Sequence, residues 1–433
     1  MAKIRVEIKS KEMIKPSSPT PNHLQTLQLS LIDQLAPPVF MPLILYYNAP
    51  TSQTADDLLK NSLSTTLVQF YPLAGRIEGN SSINCKDEGA AFCVANVLNS
   101  LAEVIEDPNP EELLRLVPFA PVSGNNSTVV GFQVNHFRCG GMAIGVSFSH
   151  KIIDGTTIAA VLNTWATNTA GSVSKSDNNV SQLKFHSASL FPPMNLDAKY
   201  DPEVQICKQM TVARRLIFDK DTIDRLRERG VDGRQVKATT RVELVSAFLW
   251  KCFIDIAKAR PTSPKIVGAV QTVGLRAVNT SSIPGDCFGN LVWPAIAHTS
   301  TDTEINYTEA IAKLRTAVKQ VDKSYLSKLH TDESLLEYIK VSNSISNVSN
   351  GEVEFCHFSS CIWFPFYEIN FGWGTPIWFS PAALPFENDV MFLSTKCGQG
   401  IEAWVNVLEQ DAAMFEQDHH FLSLASHTIR PKL

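Results

Sequence analysis

The stretch from Val129 to Ala170 restricts the possible fold more than any other part of this 433-residue chain. Val129 to Phe137 and Met142 to Phe148 are strand-like apolar runs joined by Arg138-Cys139-Gly140-Gly141, a hairpin turn signal. A helical pattern follows from about Thr156 to Ala170, with Ile158, Val161, Leu162 and Trp165 on one face. The junction between them reads Ser149-His150-Lys151-Ile152-Ile153-Asp154-Gly155. The end of a hairpin strand is a rigid place from which to present an imidazole. Asp154, four residues on, can fix the loop, and Gly155 permits a sharp turn. A histidine and an aspartate at this spacing recur by chance, and a histidine at a strand end is more often simply packed. Spacing alone leaves both readings open.

Helical and strand patterns alternate through the rest of the chain. Met1 to Ile8, Met41 to Tyr47 and residues 90–97 read as strands, and 54–69 as an amphipathic helix stopped by Tyr71-Pro72-Leu73-Ala74-Gly75-Arg76. From Gly171 to about Gln205 the composition turns to Ser, Asn, Asp and Pro, as in a crossover segment. Beyond it strands are expected at Val212–Phe218, Lys265–Gly274, 355–363, 376–380, 388–395 and 400–408. Helices are expected at Asp221–Arg229, Val242–Ala259, 304–323, 333–345 and 409–424. The pattern predicts a mixed α/β architecture, and the length predicts two domains. Their expected bounds are 1–170, with the His150 site, and 211–433, joined by a linker at 171–210.

Hydrophobic residues make up 44% and charged residues 19%, which suits packed cores and excludes a disordered chain. The net charge of −5 is spread out, and no basic run points to nucleic acid. Nine cysteines, an odd number with no Cys-x-x-Cys pair, argue against a disulfide framework or a zinc site, so no metal is expected. The N-terminus is unlike a signal peptide and no apolar run reaches transmembrane length, so no membrane association is expected. Asn125 and Asn126 each head a glycosylation triplet, which carries little weight without a secretory signal. The cytosol is the expected compartment, with the peroxisome as the alternative because Pro431-Lys432-Leu433 loosely resembles a Ser-Lys-Leu tail.

A second motif, Asn370-Phe371-Gly372-Trp373-Gly374, stands far downstream of His150 and Asp154. With it come Leu31-Ile32-Asp33-Gln34, Phe191-Pro192-Pro193, Gln271-Thr272-Val273-Gly274-Leu275-Arg276, Phe288-Gly289-Asn290 and Gly400-Ile401-Glu402-Ala403-Trp404. On these residues the chain resembles, from end to end, the plant BAHD acyltransferases. Within that family it looks most like the branch holding vinorine synthase, salutaridinol acetyltransferase and the fruit-ester alcohol acyltransferases. The resemblance implies two chloramphenicol-acetyltransferase-like domains, each a mixed sheet with helices, and an active site in a channel at their interface. It implies His150 as general base, and Asp154 pointing away from substrate to pair with Arg276. Asn370, Gly372, Trp373 and Gly374 would be structural, and Gly289 and Asn290 would line the channel near CoA. Ser359 would be the oxyanion donor, with Cys361 in the acceptor pocket.

The implied activity is acyl transfer from acetyl-CoA, or another acyl-CoA, to a hydroxyl of a specialised metabolite such as an alkaloid, terpenoid or volatile alcohol. The resemblance implies no permanently bound cofactor, no acyl-enzyme and a monomer. An amine acceptor, or a catalytically silent homologue that binds a small molecule, are the alternatives. Three residues depart from the family pattern: Asn370 stands for its usual aspartate, Gly274 for asparagine and Cys361 for tryptophan. The cysteine implies a wider acceptor pocket. Asn370 implies a loss of about 1–2 kcal/mol if the position is buried beside a cation.

Overall fold

Apolar runs too continuous to alternate become central strands covered on both faces. The structure, a computed structural model, describes residues 3–48, 55–122, 127–171, 183–196, 210–229, 239–278, 283–328 and 352–417. Its strands in chain order are β1 Val6–Ile14, β2 Thr26–Gln28, β3 Phe40–Tyr47, β4 Arg76–Glu78, β5 Ser82–Asn84, β6 Ala90–Val97, β7 Val130–Phe137 and β8 Met142–Ser149. They continue with β9 Thr211–Phe218, β10 Ile266–Gly274, β11 Val292–Ser300, β12 Val353–Ser360, β13 Trp378–Pro381, β14 Asp389–Ser394 and β15 Ile401–Leu408. The chain forms two compact units, neither of them continuous in sequence.

The first unit comprises Met1–Leu196, Pro284–Leu291 and Phe364–Pro385. Its six-stranded sheet runs β1-β6-β7-β8-β3-β13, all antiparallel except β6 with β7. A small sheet, β2-β5-β4, accompanies it. Every residue of β8 is buried, as a central strand requires. At Gly145 a Cβ would lie 1.9 Å from the Leu116 carbonyl oxygen, so the covering loop crosses β8 where only glycine fits. The helices Ala55–Gln69 and Gly155–Ala170 are cross-linked by polar bonds: Trp165 Nε1 donates to the Leu59 carbonyl at 3.0 Å, and Asn168 Nδ2 to Thr66 Oγ1 at 2.9 Å. Leaving such a buried donor unpaired costs about 1–3 kcal/mol, so these bonds fix how the apolar faces register.

The second unit comprises Asp197–Ile283, Val292–Trp363 and Phe386–Leu433. Its sheet runs β11-β10-β12-β14-β15-β9, with β10, β12 and β14 mutually parallel. The helix Arg241–Ala259 starts at Thr240, whose hydroxyl accepts from the Glu243 N–H while Glu243 reaches back. Just past its end, half-buried Arg260 pairs with Glu354 of β12 and Asp411 of the helix Glu409–Gln417. Opposed charges held this way lose much of the penalty of burial.

The division differs from the contiguous one expected at residues 170 and 211. Residues 364–385, with the Asn370 motif, belong to the first unit, because β13 pairs with β3. Residues 284–291 join them there. The sequence pattern misses the three-residue strands β2, β4 and β5, which are too short to show a period. It also misses β11, interrupted by Pro294; proline fits because β11 is an edge strand with one neighbour. The expected helix 333–345, most of the 171–210 linker, Asn125, Asn126 and the C-terminal tail lie outside the described residues.

Candidate active site

His150 follows β8 directly and is held by its backbone. Its N–H donates to the Val39 carbonyl at 2.8 Å, and its carbonyl accepts from Asn290 Nδ2 at 2.6 Å. Ile152 and Ile153 are buried and anchor the loop that follows. Asp154 then caps the Gly155–Ala170 helix: Oδ1 accepts from the Thr157 N–H at 2.9 Å. Oδ2 accepts from the Leu291 N–H at 3.1 Å, and the residue is 1% exposed. A carboxylate at a helix start is favoured by the free N–H groups and the dipole there. A Cβ on Gly155 would lie 2.3 Å from the Phe364 ring, so the helix begins with a close approach.

Burial holds the His150 imidazole below its ordinary pKa of 6.5, opposed first by a backbone hydrogen bond of residue 150 itself and then by Asp154, the Asn290 amide and the Ile153 backbone. The ring is therefore neutral at pH 7 and free to accept a proton. Two charged residues beside the loop went unassigned by sequence reasoning. Lys151 is 4% exposed, and its Nζ donates to the carbonyls of Gln34 at 2.9 Å and Ala36 at 3.1 Å. Desolvation pushes it down to about 8, with Asp33 opposing. Asp33 is pushed up to about 6 by burial, although Ser30 Oγ donates to it at 2.7 Å and the Asn290 N–H at 3.0 Å. The signal for Asp33 was present as Ser30-x-x-Asp33, a capping-box spacing. Lys151 had only its place next to His150.

Gly289 sits at φ +119°, a left-handed conformation that favours glycine, and accepts from Thr157 Oγ1 at 3.3 Å through its carbonyl. Thus the first unit brings His150, Asp154, Gly289 and Asn290 into one hydrogen-bonded cluster.

The Asn370 motif lies elsewhere in the same unit. A Cβ on Gly372 would be 3.4 Å from Ala170, the last residue of the helix that Asp154 caps. At 1.5 Å per residue that is on the order of 20 Å from Asp154. Phe371 is fully buried against Trp165, with ring centroids 4.9 Å apart, and stacks on Trp373 at 5.6 Å. Asn370 is exposed, and its Oδ1 accepts from the N–H groups of Gly372 and Gly374, both at 2.9 Å. Both glycines have φ near +105°. An amide oxygen accepts those two bonds as a carboxylate would, so the cost expected for a buried charge does not arise. Asn370→Asp is expected to leave stability within about 0.5 kcal/mol. Asn370→Ala is expected to lose about 1 kcal/mol. Chemical denaturation of the three proteins checks this; a large gain from aspartate would mean that a cation pairs with it.

The remaining residues implied by the resemblance belong to the second unit. Arg276 lies in the helical turn Leu275–Ala277 that follows β10. Ser359 is on β12, and its Oγ donates to the Val390 carbonyl at 3.4 Å, a long bond. Cys361 follows β12, and burial pushes its thiol up to about 12, which disfavours a thiolate nucleophile. Gly274 is exposed, with open space where a Cβ would stand.

A family model described as the Transferase family matches residues 4–422. The chain belongs to this family, the BAHD acyl-CoA-dependent acyltransferases. It is 33% identical to stemmadenine O-acetyltransferase of Catharanthus roseus, over 97% of this chain and 98% of that protein. It is 33% identical to a limonoid 21-O-acetyltransferase of Melia azedarach, over 98% and 99%. The crystal structure of vinorine synthase superposes with a TM-score of 0.84 at 31% identity, covering 97% of this chain and 98% of that one. The TRI101 enzyme of F. graminearum, solved with coenzyme A and deoxynivalenol, shares the fold at 15% identity, with a TM-score of 0.72 over 92% and 98%. The expected two-domain, chloramphenicol-acetyltransferase-like architecture is borne out.

Proposed function

We propose that this protein transfers an acetyl group from acetyl-CoA to a hydroxyl of a plant specialised metabolite, an alkaloid or a terpenoid, with His150 as general base. One observation carries the mechanism: a neutral imidazole, lowered by burial, is held at a strand end through both of its backbone polar groups. An alcohol attacks a thioester slowly at neutral pH unless its proton is removed as the bond forms. His150 Nε2 takes that proton while the oxygen adds to the thioester carbonyl. The tetrahedral oxyanion collapses, breaking the C–S bond, and the departing thiolate takes the proton back from the imidazolium as free CoA. Positioned proton transfer of this kind contributes roughly 10²–10⁴-fold. Ser359 is the oxyanion donor in this reading, since its long bond to Val390 is weak enough to be exchanged for an oxyanion. The high thiol pKa of Cys361 speaks for direct transfer over an acyl-enzyme at that position.

The acceptor class is taken from the names of the relatives, O-acetyltransferases of stemmadenine and of limonoids. Among the described residues no helix is long and apolar enough to cross a membrane. A monomer working in the cytosol is part of the proposal and rests on the family resemblance. Thiol release from acetyl-CoA, followed against a panel of alkaloid and terpenoid alcohols, tests the reading. Turnover confined to alcohols is the expected result. Turnover with amines alone would replace the acceptor class, and saturable binding of alcohols without thiol release would end the enzymatic reading.

A further inference from the structure

We propose that Asn290 is a positioning residue for His150: it holds the histidine carbonyl and turns its amide oxygen to Nδ1, fixing the tautomer that leaves Nε2 free to accept a proton. The inference rests on the base role proposed above and reassigns a residue expected to line the channel near CoA. Asn290 is fully buried. Its Nδ2 donates to the His150 carbonyl at 2.6 Å, which commits the other end of the amide to the same neighbourhood. Two buried polar atoms in this cluster have no hydrogen-bond partner, His150 Nδ1 and Asn290 Oδ1. The two are not bonded to each other in the structure, but one is a donor when protonated and the other only accepts, so a small side-chain rotation would let each satisfy the other. The Asn290 side chain is also among the groups that favour the protonated ring, after the backbone of residue 150 itself and Asp154.

The anchoring of residues 289–291 supports the role. The Asn290 N–H is bound by Asp33 Oδ1 at 3.0 Å, and the Leu291 N–H by Asp154 Oδ2 at 3.1 Å. The segment therefore cannot shift without breaking bonds to two buried carboxylates. Asp154 accepts from two backbone N–H groups, at the helix start and at residue 291, and so ties the loop to this segment. A neutral imidazole carries one N–H. Placing it on Nδ1, against the amide oxygen, makes Nε2 the acceptor that a general base requires.

The test uses the full chain with ¹⁵N-labelled histidine, the His150 signals being identified by their loss in His150→Gln. At neutral pH the wild-type ring is expected to carry its proton on Nδ1. Asn290→Leu is expected to shift the ring toward the Nε2–H tautomer and to lower kcat about 10–100-fold, with KM for acetyl-CoA within twofold. Asn290→Asp keeps an acceptor oxygen while losing the donor to the His150 carbonyl, and, should the leucine variant fail to fold, its tautomer carries the test alone. It is expected to retain the Nδ1–H tautomer and to move the acid limb of kcat/KM to higher pH, because an added carboxylate favours the imidazolium. Asp154 and the Asp33–Lys151 pair, the other titratable groups around the loop, are unchanged in both variants. A wild-type ring protonated on Nε2, a tautomer unaltered by leucine, or a raised KM at unchanged kcat would each overturn the inference. The tautomer is read without turnover, so failure of the acyl-transfer reading leaves it measurable.

Discussion

His150→Ala is expected to lower kcat for acyl transfer by about 10²–10⁴-fold, the usual contribution of a positioned acid–base group. The fold should survive the change. The loop is held through the backbone of residue 150, by Val39 and Asn290, and alanine keeps both bonds. The pH profile gives a second reading of the same group. The base must be unprotonated to act, and burial holds the imidazole below 6.5. Wild-type kcat/KM is therefore expected to stay high down to a pH below 6.5 and to fall as the pH drops through the lowered pKa. The alanine variant should lose that acid limb together with its rate. Equal turnover by the two proteins at any pH would remove His150 as the base and with it the mechanism.

Asp154→Ala is expected to cost about 3–5 kcal/mol of stability, from two charge-assisted hydrogen bonds, one of which is the helix cap. The carboxylate is buried and accepts from the N–H groups of Thr157 and Leu291. Its removal leaves both donors unpaired, one at the start of the Gly155–Ala170 helix and the other in the segment that carries Asn290. Activity should fall too, because the loop bearing His150 loses the anchor at its far end. Asp154→Asn keeps an acceptor and is expected to retain part of the stability. Urea unfolding of the three proteins decides it; a loss below 1 kcal/mol for alanine would mean that the loop is fixed by the buried isoleucines at 152 and 153 instead.

The sequence by itself determined the hairpin of β7 and β8, the helix that follows, and the histidine and aspartate between them. Those features depend on neighbours a few residues apart: a Gly-Gly turn, continuous apolar runs and a helical period. The same holds for the helix Arg241–Ala259 and strand β10, whose observed bounds lie within a residue of the expected ones. It also held enough of the family pattern to imply an acyltransferase. What only the tertiary structure decided depends on groups far apart in the chain. Asp33 meets the Asn290 backbone across 257 positions, and Asn290 meets the His150 carbonyl across 140. Residues 364–385 return to the first sheet because β13 supplies an edge for β3, a choice that no local propensity records. Asn370, which as a letter looks like a lost charge, proves to bind two glycine N–H groups in an exposed turn. Backbone propensity and apolar period act over one or two turns of chain. A buried hydrogen bond is chosen by whichever donor and acceptor the packed units leave facing each other.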